Sequence, residues 1–236
     1  MQFLNLVYLV LVILSLAVVY MSILKLGKSS LGTIYVYFFS STLLLGMIRL
    51  FIYLVDMKSI LIDDATMMVV WHSIFYLAVI LLIISGRSLA SLVDETLKKA
   101  SLSTTLVTNI TFVAIGALMI VFSPRIDTFV INNIKGTMLD MMGVFHFIAF
   151  ALAGSASFYL FKIKQKYTGT LGVIAMPLFI TLLFLGTIHL WELFTESWHI
   201  IAVTEDFGEM VESYLWVPVY SFLLYGFWKF VKKINA

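Results

Sequence analysis

The 236-residue chain has no cysteine, three prolines and few charges: 12% of its residues are Asp, Glu, Lys or Arg, against 62% that are hydrophobic. Without cysteine there can be no disulfide, thiolate metal site, iron–sulfur cluster or thiol nucleophile. An ordinary soluble domain is about 45–50% apolar and about 25% charged. At a mean hydropathy of +1.06, this composition excludes a soluble enzyme, a nucleic-acid binder and a disordered chain. The net charge of +2 gives no reason to expect a polyanionic partner, so the expected partners are the lipid bilayer and other membrane subunits.

Long apolar runs take the place of the missing charge. Seven stretches, roughly 3–25, 32–55, 67–86, 104–123, 138–162, 169–194 and 210–231, are each long enough to cross a hydrocarbon core of about 30 Å at about 1.5 Å per residue. Barrel strands would be about 10 residues with strict alternation, which the runs do not show. The first run has no basic leader and is too long for a signal peptide, so it is read as a helix. No loop exceeds about 20 residues, so no soluble domain is expected. These features predict an all-α integral membrane protein, a seven-transmembrane-helix bundle in one membrane domain over 1–236.

Charge sets the expected orientation. Lys25, Lys28, Arg87, Lys98, Lys99, Lys162, Lys164, Lys166, Lys229, Lys232 and Lys233 fall in one set of loops, against Lys58, Arg125 and Lys135 in the other. Basic residues stay inside. The reading is a multi-pass cell-membrane protein with an extracytoplasmic N-terminus and a cytoplasmic C-terminus. Of the acids, only Asp94 and Glu95 fall inside. The 87–103 segment reads as a solvated inner loop.

A shift of 140 residues lays spans 2–3 on spans 6–7 without a gap. Leu31, Gly32, Ile34, Phe39, Leu45, Gly46, Ile48 and Leu50 meet Leu171, Gly172, Ile174, Phe179, Leu185, Gly186, Ile188 and Leu190, and Ser73 and Gly86 meet Ser213 and Gly226. Thirteen of 57 aligned positions are identical. The expectation is a parallel 3+1+3 internal repeat, with halves at about 1–87 and 140–233 and a linker helix at 104–123. That plan resembles the architecture of microbial rhodopsins and SWEET-type transporters, a likeness of plan alone. Retinal would need a Lys in the middle of span 7, and its Lys residues begin at Lys229.

Ionisable residues within spans are costly and point to function. They are Arg49, His72, His146, His189, Glu192 and Glu212, drawn from five spans at one level, roughly 3–12 Å below the outer boundary. The repeat aligns Arg49 with His189 and His72 with Glu212. In span 6, His189, Glu192, Glu196 and His199 have offsets of 0, 3, 7 and 10. A continuous helix would hold them within an arc of about 80°. Glu209 and Glu212 are i, i+3 neighbours at the start of span 7.

Imidazole and carboxylate from facing helices, without thiolate, suit zinc or iron. The expected ligands are His72, His146, His189, Glu192 and Glu212, with Arg49, Glu196, His199 and Glu209 behind them as supporting residues or charge partners. Such an outward-facing ion would serve metal-dependent catalysis, sensing or transport. Glu196-x-x-His199 has the spacing of a di-metal carboxylate motif, but in one copy. The His-x-x-x-His pair of seven-helix zinc hydrolases, of the ceramidase and adiponectin-receptor kind, is missing. One alternative is a b-type haem for electron transfer. Gly143 and Gly186 one turn before His146 and His189 would give the macrocycle room, and Arg49 would pair with a propionate. The other is a non-catalytic membrane sensor or scaffold subunit, in which Arg49 pairs with Glu192 or Glu212. Trp191, Trp198, Tyr214, Trp216, Tyr225 and Trp228 read as interfacial anchors.

The cysteine-free background makes the orientation directly testable. Lys28→Cys and Lys164→Cys should be shielded from a membrane-impermeant maleimide in intact cells, and Ile201→Cys should react. The reverse pattern would overturn the orientation.

Overall fold

The computed structural model describes residues 2–57, 64–92, 141–166 and 169–234. Among them are six α-helices and no strand: α1 (Gln2–Leu26), α2 (Ser30–Asp56), α3 (Asp64–Ser91), α4 (Met141–Lys166), α5 (Thr170–Glu192) and α6 (Glu205–Ile234), with a π-helical turn at Leu193–Ser197 after α5. They match the six expected spans that fall on described residues. The expected linker helix at 104–123 and the charges at Lys58, Asp94, Glu95, Lys98, Lys99, Arg125 and Lys135 lie outside the described residues.

Five of these helices are long and apolar enough to cross a membrane, over Leu4–Leu26, Ser30–Val55, Val70–Ser91, Gly143–Lys166 and Leu171–Ser197. The remaining helix, α6, is more polar because acids crowd its first turns and Lys229, Lys232 and Lys233 its last ones. Hydroxyls inside the helices fold back on carbonyls four residues earlier: Ser15 on Leu11, Ser22 on Val18, Ser85 on Leu81 and Ser157 on Ala153. Each of these four hydroxyls is thereby bonded within its own helix. Large apolar side chains such as Ile13, Leu24, Phe147, Phe158 and Leu183 are exposed on the outside of the bundle. In water such a belt would drive aggregation; in lipid it is the solvated face.

Each helix packs against its sequence neighbours, and α1 closes the ring against α6. Contacts give the directions. Gly46 meets Val12, and Tyr20 meets Phe39, so α1 and α2 are antiparallel. Phe38 meets Phe227, and Tyr35 stacks on Phe230, so α2 and α6 are antiparallel. Hence α1 and α6 run parallel. His72 lies beside His146, and Gly86 beside Leu160, so α3 and α4 are parallel as well. Inside the ring, Phe38, Phe75, Trp216, Tyr220 and Phe227 are buried and fill its centre.

Helix limits recur at the 140-residue shift. The end of α1 at Leu26 corresponds to the end of α4 at Lys166, the start of α2 at Ser30 to that of α5 at Thr170, and the start of α3 at Asp64 to within one residue of α6 at Glu205. The hydroxyls at 41 and 181 both reach the next helix, but not at paired carbonyls: Ser41 on α2 donates to the Ala78 carbonyl on α3 at 2.8 Å, and Thr181 on α5 reaches the Val219 carbonyl on α6 at 3.5 Å, one residue past the counterpart of Ala78.

The turn between α1 and α2 depends on glycine. Gly27 has φ +55°, and a Cβ on Gly32 would lie 2.2 Å from the Gly27 carbonyl oxygen. The Ser29 side chain caps α2 by accepting from the Gly32 N–H at 3.0 Å. Gly46 lets α1 approach α2, as small residues do between membrane helices. A Cβ there would stand 2.5 Å from Val12 Cγ1. Gly46→Ala should therefore destabilise by about 1–3 kcal/mol through overpacking, read as a lower unfolding midpoint in detergent. Val12→Ala should restore most of the loss; an unchanged midpoint in the single variant would refute the close contact.

Candidate metal centre

Three of the candidate ligands converge where α4 meets α5. His146 stands in the second turn of α4, His189 in the last turn of α5, and Glu192 at its final residue. The i, i+3 spacing sets His189 and Glu192 on one face, and antiparallel packing brings His146 opposite. Glu192 Oε2 lies 2.8 Å from His146 Nδ1 and 2.7 Å from His189 Nδ1. The two Nδ1 atoms are 3.3 Å apart. All three side chains are buried, at 2%, 0% and 4% exposure for His146, His189 and Glu192.

With no ion, one carboxylate oxygen accepts from both Nδ1–H groups. The same triangle suits a cation. At a metal–ligand distance of about 2.0–2.1 Å, tetrahedral ligand atoms stand about 3.3–3.4 Å apart. The His–His separation already has that value. The carboxylate would withdraw by about half an ångström to admit an ion. The buried trio could hold a metal ion. The Nε2 atoms of both histidines are also buried, with no hydrogen-bond partner among the described residues.

Aromatic rings wall the cluster. His72 on α3 sets its ring edge-on to that of His146, with centroids 5.3 Å apart, and stacks on Phe145 at 4.7 Å. It lies beside the three ligand atoms without joining their triangle. Phe75 and Trp71 present edges to His189 at 4.4 and 5.9 Å. Tyr76 donates its hydroxyl to the Phe145 carbonyl at 2.7 Å and ties α3 to the start of α4.

The other expected residues lie elsewhere. Glu212 is half-buried on α6, where its Oε1 accepts from Trp216 Nε1 at 2.9 Å. Glu192, Glu196 and Arg49 are its charged neighbours. Glu196, His199 and Glu209 are exposed. The expected single stripe from His189 to His199 is broken, because α5 gives way to the π-turn after Glu192. There Trp198 N–H bonds back to the Leu193 carbonyl at 2.8 Å, and His199 takes φ 50°. Thr195 and Ser197 are turned inward in place of Glu196. Single π-turns of this kind recur at functional sites.

Arg49 pairs with neither Glu192 nor Glu212. Its guanidinium lies 4.0 Å from the Trp216 ring centroid and 5.0 Å from that of Tyr8, and its Nε donates to Tyr220 Oη at 3.2 Å. Tyr8 in turn donates to the Ser213 carbonyl. Trp216, expected as an interfacial anchor, is 1% exposed and forms one wall of this cage. Tyr8, Trp216 and Tyr220 were not legible as functional residues. An aromatic in an apolar helix reads the same whether it packs or cages a cation. The available signal was Arg49 itself, a charge needing neighbours in a span.

The haem geometry finds little room. Beside Gly186, one turn before His189, the space a Cβ would enter is lined by Phe150 and Ala153 at 3.6 Å. The two Nδ1 atoms share one carboxylate oxygen rather than facing each other across a gap wide enough for a macrocycle. Comparison with known proteins finds no matching family model, no similar curated protein and no similar solved structure.

The Tyr220 hydroxyl is the acceptor for a buried guanidinium N–H. Tyr220→Phe should lower stability by about 1–3 kcal/mol, seen as a drop in the unfolding midpoint. Tyr225→Phe, at an exposed position on the same helix, should leave the midpoint unchanged. Equal behaviour of the two variants would refute the bond.

Proposed function

We propose that this multi-pass membrane protein binds a zinc or iron ion through His146, His189 and Glu192. The observation that carries the reading is the convergence of three ligand atoms, all within 3.3 Å of one another, inside an apolar bundle. Two imidazoles and a carboxylate suit zinc or iron, and three protein ligands leave the fourth position open to water or substrate, as in catalytic zinc sites. Such an ion polarises a carbonyl or lowers the pKa of bound water to about 7. His72 stands beside His146 and Glu212 farther off on α6; in this reading they act on what occupies the fourth position, and Arg49, Glu196, His199 and Glu209 supply charge around it.

The filled centre of the ring supports a resident ion over a transported one. Tyr35, Phe38, Phe227 and Phe230, all buried, stack across the bundle towards its basic end. Access is then from the acidic end, which the lysine asymmetry makes the extracytoplasmic side. In this reading the C-terminus is cytoplasmic. Catalysis is the use that an open fourth position favours; sensing by the same ion is the second.

The architecture in this reading is seven spans built as 3+1+3 in one domain. Support comes from the 140-residue recurrence of helix limits and from two parallel interfaces, α3 with α4 and α6 with α1. Because α3 and α4 run parallel, the chain between them joins opposite ends of the bundle, which one further crossing would accomplish.

Elemental analysis of detergent-purified protein tests the metal. Wild type should carry about one equivalent of zinc or iron per chain. His189→Ala and Glu192→Gln should lose it, and Glu209→Gln should keep it, with circular dichroism confirming the fold of each. Wild type that holds no metal, and takes up none on dialysis against zinc or ferrous salt, would overturn the proposal.

A further inference from the structure

A second buried polar group lies in the other half of the ring, where Arg49 on α2 faces α1 and α6. Arg49 is 5% exposed. A guanidinium stays charged at any pH the protein meets, and a buried charge requires a counter-charge. The structure supplies only part of what Arg49 needs. Trp216, Tyr8 and Tyr220 lie around the flat guanidinium at 4.0, 5.0 and 6.0 Å. Nε is satisfied by Tyr220 Oη at 3.2 Å. Nη2 is buried with no hydrogen-bond partner, and no described carboxylate forms an ion pair with Arg49. The nearby acid Glu212 is engaged by Trp216 Nε1 at 2.9 Å.

We propose that Arg49 is the anchor of an oxyanion site between α1, α2 and α6, taking a carboxylate or phosphate group on its Nη2 edge. Trp216, Tyr8 and Tyr220 crowd the guanidinium, and Nη2 is the donor left without a partner. That edge is a planar fork whose geometry matches two oxygens of one anion. Tyr220 holds the group through Nε, so the fork is oriented before the anion arrives. The acid at Glu212 is a local competitor for the same charge. The proposal goes beyond the metal reading, in which Arg49 only supplies charge: it rests on the contacts of Arg49 with Tyr8, Trp216 and Tyr220 and needs no bound ion. The anion comes from solution or from the headgroup of an acidic lipid; the site chemistry is the same.

Binding is measured on the full-length protein in neutral detergent, by intrinsic tryptophan fluorescence and by the shift of the unfolding midpoint, which a native-state ligand raises. The probes are inorganic phosphate, sodium octanoate, and phosphatidylglycerol in mixed micelles, with chloride as control. A saturable response to at least one oxyanion is expected in wild type. It should weaken by about tenfold or more in Arg49→Gln and by less in Arg49→Lys, which keeps the charge without the fork. A response to phosphate or octanoate identifies a soluble anion, and a response to phosphatidylglycerol alone identifies a headgroup. Glu212→Gln, which leaves Arg49 in place, should tighten binding severalfold by removing the competing acid. It decides the matter if Arg49→Gln fails to fold: unchanged or weaker binding would then overturn the proposal. Absence of a saturable response in wild type, or an equal response in folded Arg49→Gln, would also overturn it.

Discussion

A carboxylate 4% exposed inside an apolar bundle constrains everything around it. Glu192 cannot be left bare there, because a lone charge in a low-dielectric interior is too expensive to keep. It is held by two imidazoles at 2.7 and 2.8 Å. Those contacts in turn fix how α4 and α5 meet, since His146 must reach across the interface at its own level. Phe75 and Trp71 pack against the His189 ring, and the Tyr76 hydroxyl bonds the carbonyl beside His146. The packing of three helices thus organises one polar cluster, and an ion would use the same three atoms that meet without one.

The helices were legible in the sequence for a simple reason. Apolar runs near 25 residues have one low-energy solution in lipid, where every backbone group must bond within its own helix. His146, His189 and Glu192 were legible for a related reason, since ionisable residues at one depth have few partners but each other. Reading failed where position along the chain does not determine position around it. His72 and Glu212 stand at the right depth, yet His72 stops beside the cluster and Glu212 turns to Trp216 one turn later on its own helix. The extension of α5 past Glu192 failed through a single change of backbone pitch. The π-turn at Leu193–Ser197 buries Thr195 and Ser197 and leaves Glu196 outside, and no residue type in that stretch announces it. Trp216 misled because tryptophan near a span end is more often an anchor than a wall.

The 140-residue correspondence gives the two polar groups a common frame. Arg49 on α2 faces α1 and α6, and His189, 140 residues further on, faces α4 and α3. In one half that environment is aromatic and cages a cation; in the other it is histidine and carboxylate. Helix limits recur at the same shift, while the polar groups at 49 and 189 differ in kind. Where the glycines differ, packing differs too: Gly86 meets Leu160 on α4, whereas Gly226 meets Pro177 on α5. The two positions thus carry unlike polar groups, an asymmetry in what each can bind.

That asymmetry bears on how the two groups act together. Phe75 lies between them, 4.4 Å from the His189 ring and 6.5 Å from the Trp216 ring, and Trp216 lies 4.0 Å from the guanidinium. The path from cation to cluster therefore runs through two aromatic side chains, Trp216 and Phe75, and Trp216 Nε1 is engaged by Glu212. Proton transfer between the two sites has no carrier among these side chains, and charge at one is felt at the other through a medium that screens it weakly. Adding a cation at His146, His189 and Glu192 would make the neighbourhood more positive, and an oxyanion at Arg49 would bind more tightly for it. Linkage requires the converse with the same factor. The two occupants, if both bind, would then favour each other electrostatically.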